Sequence, residues 1–370
     1  MLVTPFEMLS GVSSEGAREN ARLPESIVDE SVDLAPSSFR FDAALIPRYL
    51  EAAKARIEAG KDLDLHFAGP ISSARVAFAL IESIWLSGHF RLGDLSLKAH
   101  WHWNMEPVGN MAAFFASVES ACSYIDSLSL NLKDWRVTSS KAGSSVVFKA
   151  GAAGGYFKGD IDEDDDEESG VLRELPFKTL NPKIGRRRKV TCSLIPDPSD
   201  WLIYIPFDTC EYRLGGSAIS LAMEARSAVA ADVSDADYFI DCFEVVRELV
   251  EDGIVKAGAT VREGGLITAL QGMSSAGAGA SIDISDIREA YGGEFPVRVL
   301  FAEIPGVVIQ VSANDYDYVD AELLLQDIAY FPIGHPTPGT NSITIASGDR
   351  KGVSAILESL LGRETSEGED

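Results

Sequence analysis

The stretch from Tyr238 to Leu270, YFIDCFEVVRELVEDGIVKAGATVREGGLITAL, limits the folds open to this chain more than any other. Phe239, Cys242, Phe243, Val246, Leu249 and Val250 recur at helical spacing, so they share one face that must be buried against another element. Gly253 ends that helix. Ile254 to Val261 then reads as a short buried strand. Gly264 and Gly265 allow a tight turn into a second helix, whose apolar face carries Leu266, Ile267, Leu270 and Met273. Helix, strand, double glycine and helix in succession predict an α/β layer.

Length and charge narrow the class further. With 370 residues, 46% of them apolar, the chain can bury the core of one large domain or two ordinary ones. A net charge of −25 opposes binding to nucleic acid or to an anionic membrane surface. No apolar run approaches the roughly 20 residues that span a bilayer, and MLVTPFEMLSGVSSEG lacks the basic start and apolar core of a secretion signal. The expected location is the cytoplasm. Cys122, Cys192, Cys210 and Cys242 stand singly, which favours free thiols over a disulfide or metal framework.

Composition also divides the chain. Residues 1–40 are polar and aperiodic and read as an extended or disordered arm. Residues 41–189 form a first unit, opening with a helix over Phe41 to Ala59 and interrupted at 151–170 by the glycine-rich, acidic GAAGGYFKGDIDEDDDEESG. That run lacks the central glycine and terminal glutamate of a calcium loop and reads as a solvated insertion. GRRRK, Gly185 to Lys189, either meets phosphates or balances nearby acids. Residues 190–340 form a second unit, with strands such as WLIYIPF and VVIQV. Residues 341–370 hold a short helix around Ser354 to Leu361 and an acidic tail.

Several segments, in order, resemble phosphoribosylformylglycinamidine (FGAM) synthase, in its C-terminal half, within the aminoimidazole ribonucleotide synthase (PurM-like) superfamily. ISSARVAFALIESIW (Ile71 to Trp85) resembles the helix that opens the family's first subdomain, and LSLKAHWHWN (Leu95 to Asn104) its following strand, with His100 at an asparagine position. GNMAAFFASVESACSYIDSLSL (Gly109 to Leu130) resembles the next long helix, with Asn110 and Met111 where the family has Glu-Asp. YRLGGSAISLAM (Tyr212 to Met223) keeps a Leu-Gly-Gly-Ser-Ala turn. LFAEIPGVVIQV (Leu300 to Val311) keeps a glutamate, proline and glycine. Where the family has His-Asp-x-Ser-(Asp/Ala)-Gly-Gly, this chain has Ala259, Thr260, Val261, Arg262 and Glu263 before Gly264 and Gly265. Near the family's Gly-Lys-Asp-Ser loop it has Lys141 followed by Ala142.

The resemblance implies an α/β (α+β), PurM-like fold of two subdomains, an N-terminal half-barrel sheet with helices followed by a C-terminal α/β layer. It implies nucleotide contacts at Lys141, Gly215, Gly216, Ser217, Gly264, Gly265 and Glu303, with ATP and magnesium as cofactors. Carboxylates are missing at Met111, Ala142 and Thr260, which removes hard magnesium ligands. That pattern points to weakened or lost ATP and magnesium chemistry and to a binding, scaffolding or regulatory role, with no confident catalytic residue. The other reading is an active ATP-dependent ligase of the FGAR-to-FGAM type with substituted metal ligands such as Glu263. Partners implied are a second copy, through the N-terminal subdomain, or a purine-pathway synthase. One unit is present, with nothing resembling the family's glutaminase.

Some residues leave alternatives open. His100 and His102 alternate along a strand and share a face; they read as metal ligands, as polar filling of a cavity, or as pH-dependent dimer contacts. Ser217 follows a double glycine yet has no histidine partner for hydrolase chemistry and reads as a helix opener. Glu303 reads as a pocket hydrogen-bond acceptor or as a turn cap.

Overall fold

The computed structural model describes residues 45–59, 62–86, 90–106, 109–152, 178–179, 188–223, 229–275 and 277–346. The expected N-terminal arm, most of the acidic insertion, residues 185–187 of the basic run, the helix near Ser354 and the acidic tail lie outside them.

The described chain builds two sheets. The first has four strands in the order β2-β1-β3-β4: β1 Leu95–Trp103, β2 Asn131–Ser139, β3 Ser145–Ala152 and β4 Lys178–Thr179. β1 runs parallel to β2 and antiparallel to β3. A parallel pair needs a long crossover, and α3 (Asn110–Ser127) supplies it after α1 (Ile46–Ala59) and α2 (Ala68–Ile81). Period-two alternation in β1 sends Trp101 and Trp103 inward, where both are completely buried. Each indole N–H finds an acceptor on α3, Ser117 Oγ at 2.9 Å and the Asn110 carbonyl at 2.8 Å. These bonds offset the cost of burying the indole nitrogens.

The second sheet has six strands in the order β10-β7-β9-β5-β8-β6. These are β5 Trp201–Pro206, β6 Val255–Val261, β7 Ala278–Asp283, β8 Gly306–Val311, β9 Phe331–Pro338 and β10 Ile343–Ala346. β5 and β8 lie at its centre and are buried almost throughout, which explains why they read as continuous apolar runs. Ile203, Ile205, Val307 and Ile309 point to one face, where α5 (Ala236–Glu251) packs Phe239, Phe243 and Val246. Leu202, Tyr204 and Val308 point to the other, against α6 (Gly265–Met273) and α8 (Pro296–Phe301). The first of these cores is continuous with the core under the four-stranded sheet. α4 (Ala218–Ala222), α7 (Ser285–Ala290) and α9 (Tyr316–Leu325) complete the described helices.

The helix expected to run to Trp85 stops at Ile81. The Ser83 hydroxyl donates to the Leu80 carbonyl at 2.6 Å, and backbone bonds from Ser83 to Leu80 and from Ile84 to Ile81 tighten the chain into turns. Trp85 is thereby carried onto the second sheet. Among the described residues no helix is long and apolar enough to cross a membrane.

Candidate functional site

A cleft of about 780 Å³ opens between the two sheets. One wall is α2 with β3; the other is the pair of glycine turns that open α4 and α6. Gly216 and Gly264 have φ of +72° and +86°, a backbone region that favours glycine, so each turn reverses the chain directly ahead of a helix.

Glu303 sits where the turns meet. Its Oε1 accepts the backbone N–H of Ala218 at 2.7 Å and that of Gly264 at 2.8 Å. It lines the cleft and also ties two turns. Burial pushes its carboxyl up to about 7; the two N–H bonds and Arg75 pull it down and Glu263 pushes it further up.

Thr260 stands at the position where the resemblance expects a carboxylate, and it is buried on β6. Its hydroxyl accepts the Trp85 indole N–H at 2.9 Å. Trp85 lies flush on the neighbouring backbone, so that a Cβ at Gly258 would come within 2.3 Å of its ring. Arg188 covers the indole at 5.8 Å from the ring centroid and donates to the Gly258 carbonyl at 3.1 Å. The hydroxyl, indole and guanidinium form one closed stack. Thr260→Val, which keeps the shape and removes the acceptor, is expected to cost about 1–3 kcal/mol because the indole N–H is left buried without a partner. Urea unfolding of the purified variant measures it.

The cleft is rich in cations for a chain of this net charge. Arg56, Arg75, Lys149, Arg188 and Arg262 all line it. Four acids line it as well, Asp62, Glu82, Glu263 and Glu303, and the last three are already engaged. Glu263 pairs with Arg75 at 3.7 Å, and Glu82 meets Arg262 at 3.8 Å and Arg188 at 4.0 Å. Glu303 is held by the two backbone N–H groups. Magnesium asks for several hard oxygen ligands in near-octahedral array. Among the described residues no group of three or more His, Cys, Asp or Glu side chains could hold a metal ion. The residues present do not fit magnesium, whereas the cations fit a phosphate group.

The other expected contacts divide. Gly215, Gly216 and Ser217 border a small recess of about 20 Å³ beside the cleft. Ser217 is the N-cap of α4: its hydroxyl donates to the Leu214 carbonyl at 2.7 Å and accepts the Ser220 N–H at 3.4 Å. It opens the helix, as expected. Gly264 and Gly265 act through their backbone. Lys141 is exposed in the β2–β3 turn and is not among the residues lining the cleft. At the other two positions that lack a family carboxylate, Met111 packs on the core and Ala142 bonds to Ser140 and Asn104.

His100 and His102 do not fill a cavity. Both are exposed on the outer face of the four-stranded sheet, because the strand's alternation gives the inner face to the tryptophans. One ring nitrogen of each, His100 Nε2 and His102 Nδ1, lies 2.9 Å from Thr138 Oγ1, and no third metal ligand joins them among the described residues. All four cysteines are free, with Cys122 and Cys242 buried on their helices as expected. Burial pushes the Cys122 thiol up to about 12 and raises Cys210 and Cys242 as well, which leaves them unreactive.

Arg188 belongs to the basic run that the sequence offered either to phosphates or to nearby acids, and it lines the cleft while pairing with Glu82; Trp85 and Arg75 were not legible as site residues from the sequence. One signal was available for Arg75, the single charged side chain in the helix AGPISSARVAFALI. An isolated charge on an apolar helix needs a partner or a solvent-lined cleft.

Residues 198–345 match the family described as AIR synthase related protein, C-terminal domain. Human phosphoribosylformylglycinamidine synthase is 29% identical over 121 residues, which cover 32% of this chain and 9% of the human protein. The Drosophila melanogaster enzyme is 24% identical over 244 residues, 62% of this chain and 16% of the fly protein. The chain therefore spans only a small part of the curated relatives it matches. In structure it is similar to T. maritima PurL complexed with FGAR, with a TM-score of 0.54 at 12% identity over 78% of this chain and 42% of that one. It is also similar to PurLQS from Thermotoga maritima, with a TM-score of 0.53 at 12% identity over 85% and 51%.

Proposed function

The chain is a PurM-like protein related to FGAM synthase, and from that premise we propose that it binds a phosphorylated ligand of purine biosynthesis in the cleft while its magnesium-dependent ATP chemistry is weakened or lost. Its role on this reading is binding, scaffolding or regulation. The observation that carries it is Thr260. A buried hydroxyl committed to the Trp85 indole replaces the carboxylate expected there, and Glu82, Glu263 and Glu303 are held by arginines or backbone. The five cations lining the cleft supply the opposite preference, for an anion. FGAR is a natural candidate, being the compound bound in one T. maritima relative.

The test is a thermal-shift series with ATP, ADP and FGAR, each with and without magnesium. A ligand that binds only the folded chain raises its melting temperature. The expected result is a rise with a phosphorylated ligand that magnesium leaves unchanged. A magnesium-dependent rise with ATP, followed by ATP hydrolysis or FGAM formation, would overturn the reading and restore an active ligase.

The same reading assigns pairing with a second copy, or with a purine-pathway synthase, to the exposed outer face of the four-stranded sheet, where His100, His102 and Arg136 lie. Four free cysteines are in keeping with a cytoplasmic setting.

A further inference from the structure

We propose that Glu303 is a proton-operated latch, which couples entry of an anion into the cleft to the uptake of one proton. This rests on the anion-binding reading of the cleft and adds a regulation to it.

The geometry comes first. One carboxylate oxygen accepts N–H groups from two separate turns, Ala218 ahead of α4 and Gly264 ahead of α6. When ionised, Glu303 therefore both ties the turns together and places a negative charge in the floor of the cleft. The charged side chains around it come from every neighbouring element. α2 contributes Arg75, the stretch before α6 contributes Glu263, and the stretch leading to Gly215 contributes Arg213. Neither arginine is wholly available to it, because Arg75 also pairs with Glu263 and Arg213 pairs with Glu211. The carboxylate is thus only partly compensated, and burial pushes it up to about 7, so that its ionised and protonated forms are comparable at neutral pH.

An anion held by Arg56, Arg75, Lys149, Arg188 and Arg262 would share the cleft with this carboxylate. Like charges raise a carboxyl group's proton affinity. Binding the anion draws a proton onto Glu303, and by linkage a proton on Glu303 strengthens binding of the anion. The protonated carboxyl also gains an O–H donor that the carboxylate lacks. The sign follows: anion affinity is highest below pH 7 and declines as pH rises through the neutral range. One unit of upward shift in the carboxyl on binding corresponds to about tenfold in affinity across that window.

Inorganic sulfate is the probe, since its charge is constant over this range. It is titrated against wild-type chain and Glu303→Gln by thermal shift at pH 6.0, 7.0 and 8.5, with sodium chloride at equal ionic strength as reference. The expected result is a wild-type affinity about tenfold weaker at the highest pH than at the lowest, with Glu303→Gln flat across the series at the wild-type low-pH affinity. Sulfate binding that is independent of pH in the wild type, or a pH dependence that survives in Glu303→Gln, would overturn the latch while leaving the anion site intact. No sulfate-specific effect at any pH in either protein would remove both. Should Glu303→Gln fail to fold, calorimetry of wild type at pH 7 in PIPES and in HEPES counts the protons directly. A substantial fraction of a proton taken up per sulfate supports the latch, and none refutes it.

Discussion

Replacing Trp85 with alanine is expected to be the most damaging single change near the site, costing about 5 kcal/mol or more. Truncating a fully buried tryptophan costs about 3–5 kcal/mol in lost burial and residual cavity. Trp85 is fully buried and its ring lies flush on the backbone at Gly258, where no side chain is present to fill the hole. The loss of the Arg188 stack adds about 0.5–1 kcal/mol. Thr260 would be left with a buried hydroxyl whose donor has gone. Single domains are stable by only about 5–15 kcal/mol, so urea unfolding should find the variant unfolded or close to it at 25 °C. Trp85→Phe separates the contributions: it retains most of the ring burial and loses the N–H, and should cost about 1–3 kcal/mol. Equal losses in the two variants would mean that the indole nitrogen, rather than the packed ring, governs this contact.

Gly265→Ala is expected to be almost as severe, and for a different reason. The residue has a φ of +72°, which alone costs an alanine about 1–2 kcal/mol. A Cβ there would also lie 2.6 Å from the Leu300 carbonyl oxygen and 2.7 Å from the Phe301 carbonyl carbon. Those atoms belong to the backbone of α8, whose Val297, Leu300 and Phe301 are buried in the core, so they have no easy retreat. The total should reach at least about 3 kcal/mol. Gly264→Ala provides the contrast. Its φ is equally positive, but its nearest obstacles are the side chains of Thr268 and Ile57. Ile57 and the Thr268 hydroxyl can turn away, the latter losing its bond to the Gly264 carbonyl, and Thr268 Cβ needs a small shift, so the cost should exceed the backbone penalty of about 1–2 kcal/mol yet stay below that at Gly265. A chemical-denaturation series ranks the two, and a ranking with Gly264→Ala the worse would contradict the packing described around α8.

The helices and strands most readily seen in the chain were long or strongly patterned. α5, β6 and the turn into α6 fall where periodicity and two glycines place them, because those signals are carried by consecutive residues. α7 and α8 have six residues each, fewer than two turns, and periodicity cannot declare itself over that length. α2 was read four residues too long because Glu82 to Trp85 keep an apolar, helix-compatible pattern. The helix is broken there by a serine hydroxyl bonding back to the chain, a local competition that pattern alone does not register.

The candidate site divides along the same line. Consecutive residues were enough to locate the glycine turns, whereas Glu303 and the missing carboxylate at Thr260 were legible only through the resemblance to FGAM synthase. What became of that position depended on Trp85, 175 residues away in sequence. Glu303 likewise draws its two donors from 85 and 39 residues away, and Arg75 finds Glu263 only because α2 packs beside the second sheet. Periodicity and turn chemistry are properties of neighbours along the chain and can be read there. Hydrogen-bond partners, burial and the proton affinity of a carboxyl group depend on which distant segments the folded core brings into contact, and that choice exists only once both sheets are assembled.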